Sequence, residues 1–158
     1  MTSTLATSPS ATRQLAAAPT TVRDRFSDPA YQAFWLLRVG FTVAPILFGL
    51  DKYFHVLVNW DRYLAPVIVR QTPWTAHEIM YAVGAIEIVA GLVVALRPRF
   101  GGYLVAAWLA GIIVNLLVVP GFYDVALRDF GLFIAAVALA RLATAFASTP
   151  HRGANARA

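Results

Sequence analysis

Four long apolar stretches, separated by short polar or Pro- and Gly-containing segments, dominate the chain between residues 31 and 147. They run from about 32 to 54, about 74 to 96, about 101 to 119 and about 124 to 147. Each has roughly the 20 residues that an α-helix needs to cross about 30 Å of hydrocarbon. The pattern predicts an all-α fold, a four-helix transmembrane bundle.

Residues near the ends of these stretches support the boundaries. Thr75 and Glu78 have the spacing of a capping box, which indicates a helix start. Pro98 follows the second stretch and Gly101 begins the third, so these two helices are expected to form a tight antiparallel hairpin. Pro120 ends the third stretch.

The flanking segments have a different composition. Residues 1–30 are rich in Ser, Thr, Ala and Pro and show no apolar periodicity, which predicts a disordered N-terminal tail. This tail lacks the basic and apolar regions of a secretory signal, so we interpret it as a cytoplasmic tail. Residues 31–147 form the predicted membrane domain, and residues 148–158 a short polar C-terminal tail.

Composition and charge agree with a membrane protein. The chain is 59% hydrophobic and 13% charged, whereas a soluble domain has about 25% charged residues. Without cysteine, the chain cannot carry out thiol–disulfide chemistry, ligate an iron–sulfur cluster through thiolates or build a Cys-type zinc site.

The formal charge of +5 is distributed unevenly. Eight Lys and Arg residues fall on the predicted side that holds both termini, against four on the opposite side. The positive-inside rule therefore predicts a multi-pass protein of the plasma (inner) membrane with both termini cytoplasmic. The basic excess indicates topology and contact with anionic lipids, and we expect no nucleic-acid binding.

Two ionisable residues lie well inside the predicted spans. Arg38 in the first span and Glu87 in the second are at similar depth if the two helices are antiparallel, which predicts an intramembrane ion pair. The pair has two interpretations: it fixes helix packing, or Glu87 is a proton-linked or quinone-facing carboxylate. Gly84 and Gly91 share the helix face of Glu87 and predict close approach of another helix.

A second group of polar residues is predicted at the outer ends of the helices. The candidates for an outer binding face are Asp51, Lys52, His55, His77, Glu78, Asn115, Asp124, Arg128 and Asp129. They serve either as caps and interfacial anchors or as a polar vestibule for a substrate, a quinone head group or a partner protein.

Three more specific expectations concern this group. Asp124 and Arg128 have the i, i+4 spacing of a helical ion pair, and Asn115 suits a hydrogen bond between helices. A metal site built from Asp51, His55, His77 and Glu78 is conceivable by ligand type. No tight ligand motif supports it, so we predict no metal site.

The first two spans contain the segments Leu36 to Gly40, Gly49 to Phe54 and Gly84 to Gly91, the last of which has a glutamate between two glycines. These three segments resemble DoxX-like membrane proteins. The resemblance covers the four-helix region and implies a small integral membrane protein. Members of this family are similar to subunits associated with membrane oxidoreductases, including thiosulfate:quinone oxidoreductase, and with oxidative-stress complexes. The resemblance supports Arg38, Lys52 and Glu87 as shared features without assigning them a catalytic role.

Three functional hypotheses follow. The first is an accessory subunit of a quinone-linked membrane oxidoreductase or oxidative-stress complex, with the lipid bilayer and oxidoreductase proteins as partners and a quinone as the candidate ligand. The second is a small proton- or ion-coupled transporter that acts as a homo-oligomer. The third is a non-catalytic assembly scaffold. An independent enzyme is not expected, because no nucleophile–base pair, phosphate loop or metal motif is evident.

Overall fold

The computed structural model describes residues 26–147, and the regular elements in that range are all helical. The four long helices are α1 (Pro29–Phe54), α3 (Ala76–Leu96), α4 (Pro98–Val118) and α5 (Tyr123–Ala147). Between α1 and α3 lie a 3-10 turn (Trp60–Tyr63) and a short helix α2 (Pro66–Gln71). The predicted all-α four-helix architecture is confirmed. Of the predicted tails, residues 1–25 and 148–158 lie outside the described residues.

The four long helices are each long and apolar enough to cross a membrane. Large apolar side chains cover their outer surface; Leu36 is 75% exposed, Leu96 81% and Leu127 72%. Such a continuous apolar surface is unfavourable in water and favourable in hydrocarbon. The chain is therefore a multi-pass membrane protein.

Two helices begin earlier than the apolar pattern predicts. α1 begins at Pro29, because the Asp28 side chain accepts a hydrogen bond from Ala30 N and proline is tolerated at a first helical position. α4 begins at Pro98, because proline is tolerated at the first helical position, so Arg97 alone separates it from α3. The predicted capping box at the start of α3 is confirmed.

The bundle consists of two extensively packed antiparallel pairs, α1 with α3 and α4 with α5, which are joined by contacts of α3 with α4 and of α1 with α5. Glycines bring the backbones of α1 and α3 together. A Cβ atom built on Gly49 would lie 2.6 Å from the Gly84 carbonyl oxygen, and one on Gly91 would lie 2.7 Å from the Thr42 carbonyl oxygen. The close approach predicted for the Gly84 and Gly91 face is confirmed.

We expect Gly84→Ala to destabilise the protein by about 1–3 kcal/mol, the usual cost of overpacking. The added methyl group would lie 2.7 Å from the Gly49 carbonyl oxygen and would push α1 away from α3. Gly111→Ala is the matched control, because a Cβ there meets nothing within 4 Å. Thermal unfolding in detergent micelles measures both variants, and equal melting temperatures would contradict the predicted effect.

Candidate functional site

A buried ion pair joins α1 to α3. Lys52 Nζ donates a hydrogen bond to Glu87 Oε2 at 2.6 Å, and the two side chains are 4% and 12% exposed. Lys52 Nζ also lies 3.9 Å from the centroid of the Trp60 ring, within the range of a cation–π interaction. The single lysine of the sequence is thus enclosed by a carboxylate and an indole.

The predicted Arg38–Glu87 pair is wrong. Arg38 Nη2 donates instead to the Ala95 carbonyl oxygen at 2.5 Å. Its guanidinium carbon lies 4.8 Å from the Trp35 ring centroid. Arg38 therefore contacts the C-terminal end of α3 and the Trp35 ring. The ion-pair partner of Glu87 is Lys52.

The stagger of the two helices explains the exchange. The contacts of Gly49 with Gly84 and of Thr42 with Gly91 place Glu87 beside the part of α1 about eight residues, or roughly 12 Å, beyond Arg38. Side chains on a helix also lean towards its N-terminus. Arg38 therefore leans away from Glu87, whereas the Lys52 side chain is directed back towards it.

Asp51 organises the loop that covers this pair. Its carboxylate accepts hydrogen bonds from Val56 N at 3.0 Å, Leu57 N at 3.1 Å and Trp60 Nε1 at 2.7 Å. Asp51 is only 7% exposed, so it holds the loop and fixes the indole over Lys52. No local spacing in the sequence indicates that Trp60 would fold back onto the end of α1.

A cleft of ≈ 270 Å³ lies beside the ion pair, lined by residues of α1, α3 and α4 and by Leu132 of α5. Its lining is almost entirely apolar and includes Gly40 and Pro45 of α1; its polar members are Glu87 and Trp108. Trp108 Nε1 approaches the Glu87 carboxylate without reaching hydrogen-bond geometry, and it has no hydrogen-bond partner among the described residues. The cleft therefore offers one donor and one acceptor group in apolar surroundings.

Residues 55–75 connect α1 to α3, and we call this end of the bundle the loop end. The two predicted histidines lie close together there. The rings of His55 and His77 stack with their centroids 5.1 Å apart. Asp61, which is not among the predicted candidates for the outer binding face, has its Oδ2 atom 3.4 Å from His77 Nδ1. Glu78 is instead engaged in the capping box, where its carboxylate accepts from Thr75 N at 2.8 Å.

Asn115 forms hydrogen bonds with the connecting loop and not, as predicted, with another helix. Its Oδ1 accepts from Ala65 N at 2.9 Å, and its Nδ2 donates to the Tyr63 carbonyl oxygen at 2.6 Å. These bonds satisfy backbone groups where the 3-10 turn passes into α2. Asn115 is therefore a structural residue that attaches the loop to α4.

The predicted candidates on α5 divide into two kinds. Asp124 and Arg128 form the expected i, i+4 pair at 3.5 Å, but their side chains are 75% and 71% exposed, so the pair contributes little to stability. Asp129 is half-buried, unlike this exposed pair.

Comparisons with family models, with curated proteins and with solved structures give no match to this chain. The resemblance of the first two spans to DoxX-like proteins stays a prediction. The function is therefore inferred from the ion pair, the cleft beside it and the loop end.

We expect Lys52→Met to destabilise the protein by about 3–5 kcal/mol, because it leaves Glu87 as an uncompensated buried charge. The double variant Lys52→Met/Glu87→Leu removes both charges and should recover most of that loss. A double-mutant cycle of unfolding in detergent, completed with Glu87→Leu, measures the coupling. Additive effects of the two single substitutions would contradict an energetic coupling of the pair.

Proposed function

We propose that this chain is a small membrane subunit that binds a quinone-type head group in the cleft beside Glu87. In this proposal it serves as an accessory component of a membrane oxidoreductase or oxidative-stress complex, the role that the resemblance to DoxX-like proteins implies. The observation that carries the proposal is the cleft itself. It combines an apolar lining with a carboxylate and an indole N–H inside the membrane-spanning helices.

The chemistry of the cleft suits a quinone and its reduced form. The Trp108 N–H lacks a partner among the described residues and would donate to a quinone carbonyl oxygen. Glu87 would accept from a quinol hydroxyl, while Lys52 maintains its charge. The volume of ≈ 270 Å³ is just below the roughly 300–1,000 Å³ of pockets for drug-sized ligands, which favours a single substituted ring.

A neighbouring apolar groove supports a ligand with an isoprenoid tail. It has a volume of ≈ 340 Å³, lies between α3 and α4, and shares Ala90 and Trp108 with the lining of the cleft. A hydrocarbon tail that leaves the cleft past these two residues would bury apolar surface against the helices. The two adjoining spaces thus match a molecule with a polar ring and an apolar chain.

In this proposal the electrons come from a partner protein. The chain contains no cysteine, so it cannot ligate an iron–sulfur cluster through thiolates. Its contribution would be to bind and orient the head group while cofactors of the partner carry out the redox chemistry. The alternative of a proton-coupled transporter has weaker support, because Lys52 at 2.6 Å holds the Glu87 carboxylate in an ion pair.

We expect Gly40→Phe to abolish quinone binding without disturbing the bundle. Gly40 lines the cleft, and a Cβ there meets nothing within 4 Å, so the added ring can occupy the cleft. The matched control is Gly111→Phe, a glycine with equally open surroundings that lies outside the cleft lining. The measurement is the amount of a short-chain ubiquinone or menaquinone analogue retained per chain by the purified protein in nanodiscs.

The wild type and Gly111→Phe should retain about one quinone per chain, and Gly40→Phe should retain at least about tenfold less, which corresponds to 1.4 kcal/mol of binding free energy. Absence of saturable retention by the wild type would overturn the proposal. Equal retention by the two phenylalanine variants would show that the quinone binds elsewhere. Trp108→Phe, which removes the N–H donor together with part of the indole ring from the cleft lining, should weaken retention.

A further inference from the structure

We propose that His55, Asp61 and His77 form a binding site for a divalent transition-metal ion, with Zn²⁺ as the best match to the donor set. The three residues belong to different elements of the loop end. His55 follows the last residue of α1, Asp61 lies in the 3-10 turn, and His77 lies in the first turn of α3. One donor atom from each lies within 4.8 Å of the other two.

Two donor atoms of this cluster are buried without hydrogen bonds. His55 Nε2 and Asp61 Oδ1 have no hydrogen-bond partner in the described part of the chain. Buried polar side-chain atoms in native proteins nearly always have a partner. Both orphaned atoms belong to the cluster, and a bound cation would satisfy lone pairs of both residues at once.

The distance between Asp61 and His77 is also informative. Asp61 Oδ2 and His77 Nδ1 are 3.4 Å apart, longer than the 2.7–3.2 Å of an N–H···O hydrogen bond. Two ligands that each lie about 2.0–2.1 Å from a tetrahedral zinc ion are about 3.3 Å apart. This pair is therefore already separated as two ligands of one ion would be.

The donor set itself matches known metal chemistry. Two imidazoles and one carboxylate are a set that binds zinc in proteins, with a water molecule or substrate in the fourth position. The His77 side chain is 46% exposed and that of Asp61 is 31% exposed. An ion held here would thus keep one coordination position open to solvent.

The backbone that carries the three ligands is fixed by other side chains. Asp51 closes the turn after His55, which adopts a left-handed conformation with φ 53°. Asn59 Oδ1 accepts from Asp61 N at 3.1 Å, and the capping box at Thr75 sets the first turn of α3. The backbone positions of the three ligands are therefore set before an ion binds.

The metal site is independent of the proposed quinone site. None of its three residues lines the cleft beside Glu87, so either proposal can fail without the other. The competing explanation is that the histidines only stack as part of a packing cluster, since the Tyr81 ring lies 4.4 Å from the His77 ring, centroid to centroid. A stack of this kind needs no metal, and the two explanations differ in a direct binding measurement.

The experiment titrates the purified full-length protein, carrying a tag without histidine, with Zn²⁺ after treatment with a chelator. Calorimetry measures stoichiometry and affinity, and a parallel titration with Co²⁺ reports the coordination geometry from its visible absorbance. We expect one ion per chain. Asp61→Asn and His77→Ala should each weaken binding by at least about tenfold, since even the loss of a group that only supports a ligand costs about 10–100-fold.

Two variants are the matched controls. His151→Ala removes the third histidine of the sequence, and Asp124→Asn removes an exposed carboxylate; both should bind Zn²⁺ as the wild type does. Zn²⁺ should also raise the melting temperature of the wild type and of both controls, because it binds the folded state. At the same Zn²⁺ concentration it should raise the melting temperature of Asp61→Asn by less. This variant keeps the shape of the aspartate side chain, so it tests the site even if His77→Ala fails to fold.

Three results would overturn the proposal. The first is a wild type that binds neither Zn²⁺ nor Co²⁺ stoichiometrically. The second is unchanged affinity in both Asp61→Asn and His77→Ala. The third is loss of binding in His151→Ala, which would place the ion outside the cluster.

Discussion

The ion pair between Lys52 and Glu87 is the interaction on which the arrangement of the bundle depends. A charge inside a membrane span is costly unless it is paired, and pairing at 2.6 Å requires that α1 and α3 approach each other closely. The glycine contacts, such as Gly49 with Gly84, permit that approach because no side chain separates the backbones. The loop after α1 then covers the ion pair: Trp60 lies over the Lys52 ammonium group, and Asp51 holds Trp60 in place.

The same constraint keeps a polar group beside an apolar cleft. Glu87 has Lys52 on one side and the cleft on the other, so one carboxylate is part of both the packing and the proposed binding site. The two interpretations of Glu87 from the sequence, a packing role and a quinone-facing role, are therefore compatible. A small ligand would contact the Glu87 carboxylate, which Lys52 already stabilises. This matters because an unpaired polar group is costly in a medium of low dielectric constant.

The sequence predicts the four helices within about three residues at each end, because membrane thickness imposes a length on every span. The glycine face of α3 is equally predictable from its helical periodicity. The partner of Glu87 is not, since it depends on the stagger between α1 and α3 and on the direction in which side chains lean. The spacing of residues within one helix gives neither the stagger nor the lean. The sequence therefore predicts Arg38 as the partner of Glu87, whereas the structure has Lys52 in that role.

The loop end shows a related limit. Asp51 and Glu78 are the acids next to the two histidines in sequence, but both carboxylates already accept hydrogen bonds from backbone N–H groups at helix ends. An acid beside a helix terminus is commonly used in this way, so a ligand carboxylate is better sought in the intervening turn. Asp61 lies in that turn, one residue after the indole that covers Lys52. An ion bound to Asp61 would therefore act on the segment that closes the buried pair, which links the water-facing cluster to the charges inside the membrane.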